Sequence, residues 1–161
     1  MSGQPQTTVG SLPAPDAEEP WFPAVSTRLV WALWLVSLGA LVARVAFDGA
    51  WRLGGVVAVD GLTVALWATV TFFSGIVHSY ARRYMAGSET IDRFFARVLA
   101  FTLVVMVLVA ADHLVLFAAA WLAMGLVMAD LIGHADGWPQ AQAAGRLARR
   151  YFLASSASLA A

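Results

Sequence analysis

The 161-residue sequence contains no cysteine. That absence excludes disulfides, thiolate metal sites, iron–sulfur ligation and a thiol nucleophile, so metal or redox chemistry would have to sit on a partner. Lysine is missing as well: all ten basic residues are arginines, whose guanidinium stays protonated where a buried lysine can be tuned to release a proton. Charge of either sign is scarce, at 12% of residues against about 25% in an ordinary soluble domain. Ten acids balance the ten arginines, and no basic tract stands outside the apolar segments' flanks, which argues against nucleic acid as a partner. Proline is also confined: five of the six lie before residue 25.

What fills the chain instead is apolar. Hydrophobic residues make up 60% of it, gathered into four runs at 28–47, 62–81, 94–111 and 114–133. Each is near the ~20 residues needed to cross a hydrocarbon core of about 30 Å. The fold class expected is therefore all-α: a polytopic transmembrane helical bundle of about four spans plus a C-terminal amphipathic helix, with the lipid bilayer as its solvent.

Three regions follow. Residues 1–24, with Pro5, Pro13, Pro15, Pro20 and Pro23 among Gly, Ser, Thr and acids, have the composition of a disordered segment. They lack the basic start and cleavage site of a signal peptide, so the first apolar run is expected to stay as a membrane helix. Residues 25–136 form the four-span region. Residues 137–161 are expected to form an amphipathic interfacial helix, with Arg146, Arg149 and Arg150 on one face and Ala144, Leu147, Ala148 and Tyr151 on the other. It leads towards Ser158-Leu159-Ala160-Ala161, which looks like the opening of a further helix.

Local signals sharpen this outline. Gly54-Gly55 marks a turn between the first two spans, and Trp51 suits an interfacial belt. Asp60-Gly61 opens the second span as an N-cap would. Thr69, Thr71, Ser74 and Gly75, with Gly39 and Gly125, suit close helix packing. Spans three and four, separated only by Asp112-His113, should form a tight antiparallel hairpin. Arg28, Arg82, Arg83, Arg93, Arg97, Arg146, Arg149 and Arg150 fall on one side of such a bundle, and Arg44 and Arg52 on the other. The bias predicts a multi-pass protein of the cell inner membrane with its N-terminus and its C-terminal tail cytoplasmic.

Ionisable groups within spans are costly and mark candidate ion-pathway residues, with pairing or snorkelling as the alternative. Asp130 and His134 lie four apart at the end of span four, where one helical face would let them share a proton or simply form an interfacial pair. His78, near the end of span two, could bond a neighbouring helix or titrate near physiological pH. Asp112 and His113 are assigned nothing beyond their turn. The sequence shows no phosphate-binding glycine loop, no metal-ligand pair at helical spacing and no Ser/His/Asp set, so no catalytic, cofactor or metal residue is expected.

The order Asp60-Gly61-Leu62-Thr63, His78-Ser79-Tyr80-Ala81-Arg82-Arg83-Tyr84-Met85-Ala86-Gly87, Arg93-Phe94-Phe95, then Asp112-His113-Leu114-Val115-Leu116-Phe117 leading to Ala120-Trp121, resembles the N-terminal part of antiporter-like membrane subunits. These occur in proton-pumping NADH:quinone oxidoreductase and in Mrp sodium/proton antiporters. Within that superfamily the Arg82-to-Gly87 loop, Gly137-Trp138-Pro139 and Ala148-Arg149-Arg150-Tyr151-Phe152-Leu153-Ala154-Ser155 look most like the DabB-type membrane subunit of the DAB inorganic-carbon system. That resemblance implies a large peripheral DabA-type partner similar to a zinc β-carbonic anhydrase, with zinc on the partner and no cofactor in this chain. It implies a transport subunit, not an enzyme, in which a cation gradient drives uptake of CO2 as bicarbonate.

Departures from the respiratory pattern are specific. Respiratory members carry a glutamate after the tryptophan matching Trp121, where this chain has Leu122. They carry Arg-x-Gly-Asp after the position matching Ser155, where it has Ser156-Ala157-Ser158-Leu159. Three readings follow: an inorganic-carbon uptake subunit, a truncated or divergent respiratory or Mrp-type antiporter subunit, and a membrane scaffold without transport of its own.

Overall fold

The computed structural model describes residues 21–47, 51–134 and 137–160. Within them lie five helices, α1 (Trp21–Ala46), α2 (Gly61–Tyr84), α3 (Ile91–Ala110), α4 (Leu114–Ile132) and α5 (Pro139–Ala160), and a small hairpin of β1 (Trp51–Leu53) and β2 (Val57–Val59) between α1 and α2. Helices α1 to α4 are long and apolar enough to cross a membrane. Many of their large side chains, among them Leu35, Val36, Val42, Val45 and Phe73, are exposed to the surroundings. Lipid accommodates that pattern, whereas a soluble monomer rarely shows so much contiguous apolar surface. The expected all-α membrane bundle is what the chain forms.

The helices run up and down in sequence order. Trp31 of α1 donates from Nε1 to Ser79 Oγ of α2 at 3.1 Å, and its ring lies where a side chain on Gly75 would have to be. Gly75 thus lets an indole pack flat on α2, the close approach that small residues provide in membranes. Between α2 and α3, Trp67 Nε1 donates to the Met106 carbonyl at 2.8 Å. Ala81, Ile91 and Phe95 form a small core between these helices, flanked by Phe22, Met85 and Phe94.

The hairpin closes one end of the bundle. Gly54 and Gly55 both have positive φ, and Val56 N–H bonds to Leu53 O at 3.1 Å, which is a type I′ turn. Asp112 N–H then bonds to Val56 O at 2.9 Å, tying the hairpin to the α3–α4 turn. Asp60 caps α2 as expected: its Oδ1 accepts from Thr63 N–H and from the Thr63 hydroxyl, both at 2.8 Å. These two bonds to the carboxylate hold the Asp60 pKa below its usual value.

Three features differ from the sequence reading. Helix α1 begins at Trp21, because Pro23 sits in the first turn, where a missing N–H costs nothing, and the Ser26 and Thr27 hydroxyls bond back to its carbonyl. The rest of the proline-rich segment, residues 1–20, lies outside the described residues. Gly39 meets nothing within 4 Å of a built Cβ, so it is not a packing glycine.

The third concerns the C-terminal helix. The structure has one continuous helix from Pro139 to Ala160 rather than an interfacial helix followed by another, and it runs antiparallel beside α4. Gly145 lies against Ala129 and Gly133, Arg149 pairs with Asp130, Phe152 covers Gly125, and Trp121 Nε1 donates to Ser155 Oγ at 3.4 Å. Glycines on both helices permit this nesting. The face with Ala144, Leu147 and Tyr151 is left exposed.

Candidate functional site

Near the end of the bundle where α2 stops and α3 starts, His78 is fully buried, with 1% of its surface exposed. Its Nδ1 donates to the Ser74 carbonyl one turn back, at 2.8 Å, which fixes the proton on that nitrogen. The Ser74 hydroxyl lies 3.3 Å from the same Nδ1 and 2.6 Å from Thr102 Oγ1 on α3. Thr102 in turn donates to the Val98 carbonyl at 2.9 Å, so the Ser74 hydroxyl is the donor to Thr102. The result is a short polar thread, His78–Ser74–Thr102, between α2 and α3. His78 Nε2 is buried and has no hydrogen-bond partner among the described residues. The Phe95 ring stands edge-on to the imidazole at 5.2 Å between centroids.

Asp130 and His134 are held differently. Helix α4 stops at Ile132 and Gly133 caps it, so His134 lies beyond the helix and does not continue the face that carries Asp130. The expected i,i+4 arrangement on one helical face is therefore absent. Arg149 of α5 donates to Asp130 Oδ1 at 2.5 Å, and both side chains are about half exposed. Arg97 of α3 donates to His134 Nδ1 at 2.8 Å. Because a guanidinium only donates, that ring nitrogen must be the bare one, the opposite tautomer to His78. His134 also packs on Phe94, the neighbour of Phe95, at 5.4 Å, and both His134 and Phe94 line an apolar cleft of about 700 Å³ with Tyr80 and Tyr84.

The structure thus places His78 and His134 against adjacent phenylalanines of α3 and takes Asp130 to α5. Asp112 and His113 stay in their turn, where His113 Nδ1 accepts from Val115 N–H at 3.2 Å and caps α4. The sequence reading missed Thr102 and the partner roles of Arg97 and Arg149. A threonine amid an apolar run was the available signal for the first. The arginine pairings depend on how α3, α4 and α5 come together. Among the described residues no cluster of three His, Cys, Asp or Glu side chains is placed to hold a metal ion.

Comparison with known proteins matches residues 50–95 to the family described as NADH-Ubiquinone oxidoreductase (complex I), chain 5 N-terminus. The stretch runs from the β-hairpin through α2 and its loop into α3. NADH-quinone oxidoreductase subunit L of Escherichia coli is 38% identical over 85 residues, 53% of this chain and 14% of that protein. Subunit L of Rickettsia typhi is 32% identical over 100 residues, 62% of this chain and 15% of the relative. NADH-ubiquinone oxidoreductase chain 5 of Cryptococcus neoformans is 37% identical over 67 residues, 42% and 10% of the two chains. The chain spans only a small part of the length of these relatives. Through the matched segment, the similarity is to the antiporter-like membrane subunit superfamily, in its N-terminal part.

Proposed function

We propose that the chain supplies the N-terminal helices of an ion-translocating, antiporter-like subunit in a multi-subunit membrane complex of the respiratory or Mrp kind. The observation that carries this is the match of residues 50–95 to the chain 5 N-terminus, together with relatives named as quinone oxidoreductase subunits. The polar thread through His78 is in keeping with it, since buried ionisable groups at membrane depth are expensive and are kept where protons or ions are handled. On this reading the chain makes and breaks no substrate bonds and carries no cofactor of its own.

A second reading, an inorganic-carbon uptake subunit with a DabA-type zinc partner, is favoured by two sequence features. Leu122 stands where respiratory members place a glutamate, and Ala148–Ser155 has the DabB-type pattern. Leu122 lies on α4 one residue past Trp121 and offers no proton acceptor.

Purification of the complex from native membrane, followed by identification of the co-purifying subunits and metal analysis, separates the two. Flavin and iron–sulfur subunits support the first reading, and a large soluble subunit bearing zinc supports the second. Recovery of the chain alone from gently solubilised membranes would count against both.

A further inference from the structure

Where α4 ends and α5 begins, a cleft of about 280 Å³ opens between α3, α4 and α5. Among the described residues its lining includes three guanidiniums, Arg97, Arg146 and Arg149, and one carboxylate, Asp130, with Gln142 and the backbone of Gly145 beside them. Among the described residues three positive groups thus face one negative group, an excess of two positive charges in the lining.

The pairings leave that excess in place. Arg149 is neutralised by Asp130. Arg97 is half-buried and spends one N–H on His134 Nδ1, and no carboxylate among the described residues pairs with it. Arg146 makes no hydrogen bond or ion pair among the described residues. The carbonyl end of α4 and the amide end of α5 both lie at this level, and their opposite partial charges offset one another.

Guanidiniums present planar pairs of N–H donors that match phosphate oxygens. The position is equally telling: the cleft lies beside the last turn of a membrane-span helix, the depth at which lipid headgroups sit, and basic pockets between such helices bind anionic headgroups. We propose that this cleft binds a phosphate group, through Arg97 and Arg146 with Arg149 shared between the phosphate and Asp130. The phosphate arrives either on an anionic phospholipid or as the free ion.

The test uses the intact chain purified in detergent, with phosphatidylglycerol retention measured by native mass spectrometry and inorganic phosphate binding measured by calorimetry without lipid. Each guanidinium near an anionic headgroup is worth about 1 kcal/mol, so Arg146→Gln should weaken binding roughly fivefold. Asp130→Asn should tighten it by a similar factor, an effect that general loosening of the fold would not produce. Arg93→Gln, an exposed arginine at the same end of the bundle but outside the cleft, should change nothing.

Phosphatidylglycerol binding with this pattern identifies a lipid site. Phosphate binding with the same pattern and no lipid preference identifies a free-anion site. Equal losses for Arg146→Gln and Arg93→Gln, no binding of either ligand, or weaker binding by Asp130→Asn would overturn the proposal.

Discussion

Replacing Gly145 with alanine tests the packing that brings α5 onto α4. A Cβ at this position would lie 2.9 Å from the Ala129 carbonyl oxygen and 3.0 Å from the N and Cα of Gly133. All three are backbone atoms, so no side-chain rotation relieves the overlap, and α5 must withdraw by a few tenths of an ångström. The neighbouring contacts, Phe152 over Gly125 and Arg149 on Asp130, loosen with it. Overpacking of this kind costs about 1–3 kcal/mol, against about 1 kcal/mol gained because alanine is the better helix former. Gly39→Ala isolates that gain, since nothing lies within 4 Å of its built Cβ.

The two variants should therefore differ by about 1–3 kcal/mol, with Gly145→Ala the less stable, and each kcal/mol corresponds to roughly 2–4 °C of melting temperature in a chain of this size. Thermal unfolding in detergent, followed by circular dichroism, measures the difference. A second readout uses the natural absence of cysteine. With Asp130→Cys and Arg149→Cys installed, capture by a short bifunctional thiol reagent should fall when Gly145→Ala is added. If Gly145→Ala melts at or above Gly39→Ala with capture unchanged, α5 does not nest on α4 as described.

Gly125→Ala should also destabilise, because its Cβ would fall within the Phe152 ring near that ring's own Cβ. Adding Phe152→Ala should recover part of the loss, giving a double-mutant coupling of about 0.5–3 kcal/mol; simple additivity would refute the contact. Asp60 provides a pH signature. Its folded pKa lies below the unfolded value, so its stabilising contribution is complete above the unfolded pKa and is lost as pH falls through the folded one. Acid unfolding below about pH 4 should lose this component in Asp60→Asn, which keeps a capping oxygen but cannot titrate; an unchanged pH profile would exclude it. The arginine bias predicts orientation: Ser88→Cys, in the α2–α3 loop, should react with an impermeant thiol reagent only from the cytoplasmic side, and labelling from outside would reverse the topology.

The sequence alone determined the class of the molecule and much of its layout. Four apolar runs of bilayer length leave a chain few options, since every buried backbone group must be bonded within its own helix. The signals at Asp60-Gly61, Gly54-Gly55 and Asp112-His113 act over a few residues, so the α2 cap, the turn between β1 and β2 and the tight α3–α4 connection were legible where they occur. His78 could likewise be singled out, because an imidazole in an apolar run is conspicuous by itself.

Its partners could not. Ser74 and Thr102 are 28 residues apart in sequence, and only the antiparallel register of α2 and α3 makes their hydroxyls meet. The spacing of Asp130 and His134 suggested one helical face, but the helix ends between them, and each side chain is claimed by an arginine from another helix. The course of α5 was likewise a tertiary decision. Its arginine face looked suited to the membrane surface, yet the glycines of α4 and α5 allow backbone contact, and that contact turned the helix to run alongside α4. Periodicity and composition report how a segment divides between polar and apolar surroundings; which helix it meets depends on steric fit between residues distant in sequence.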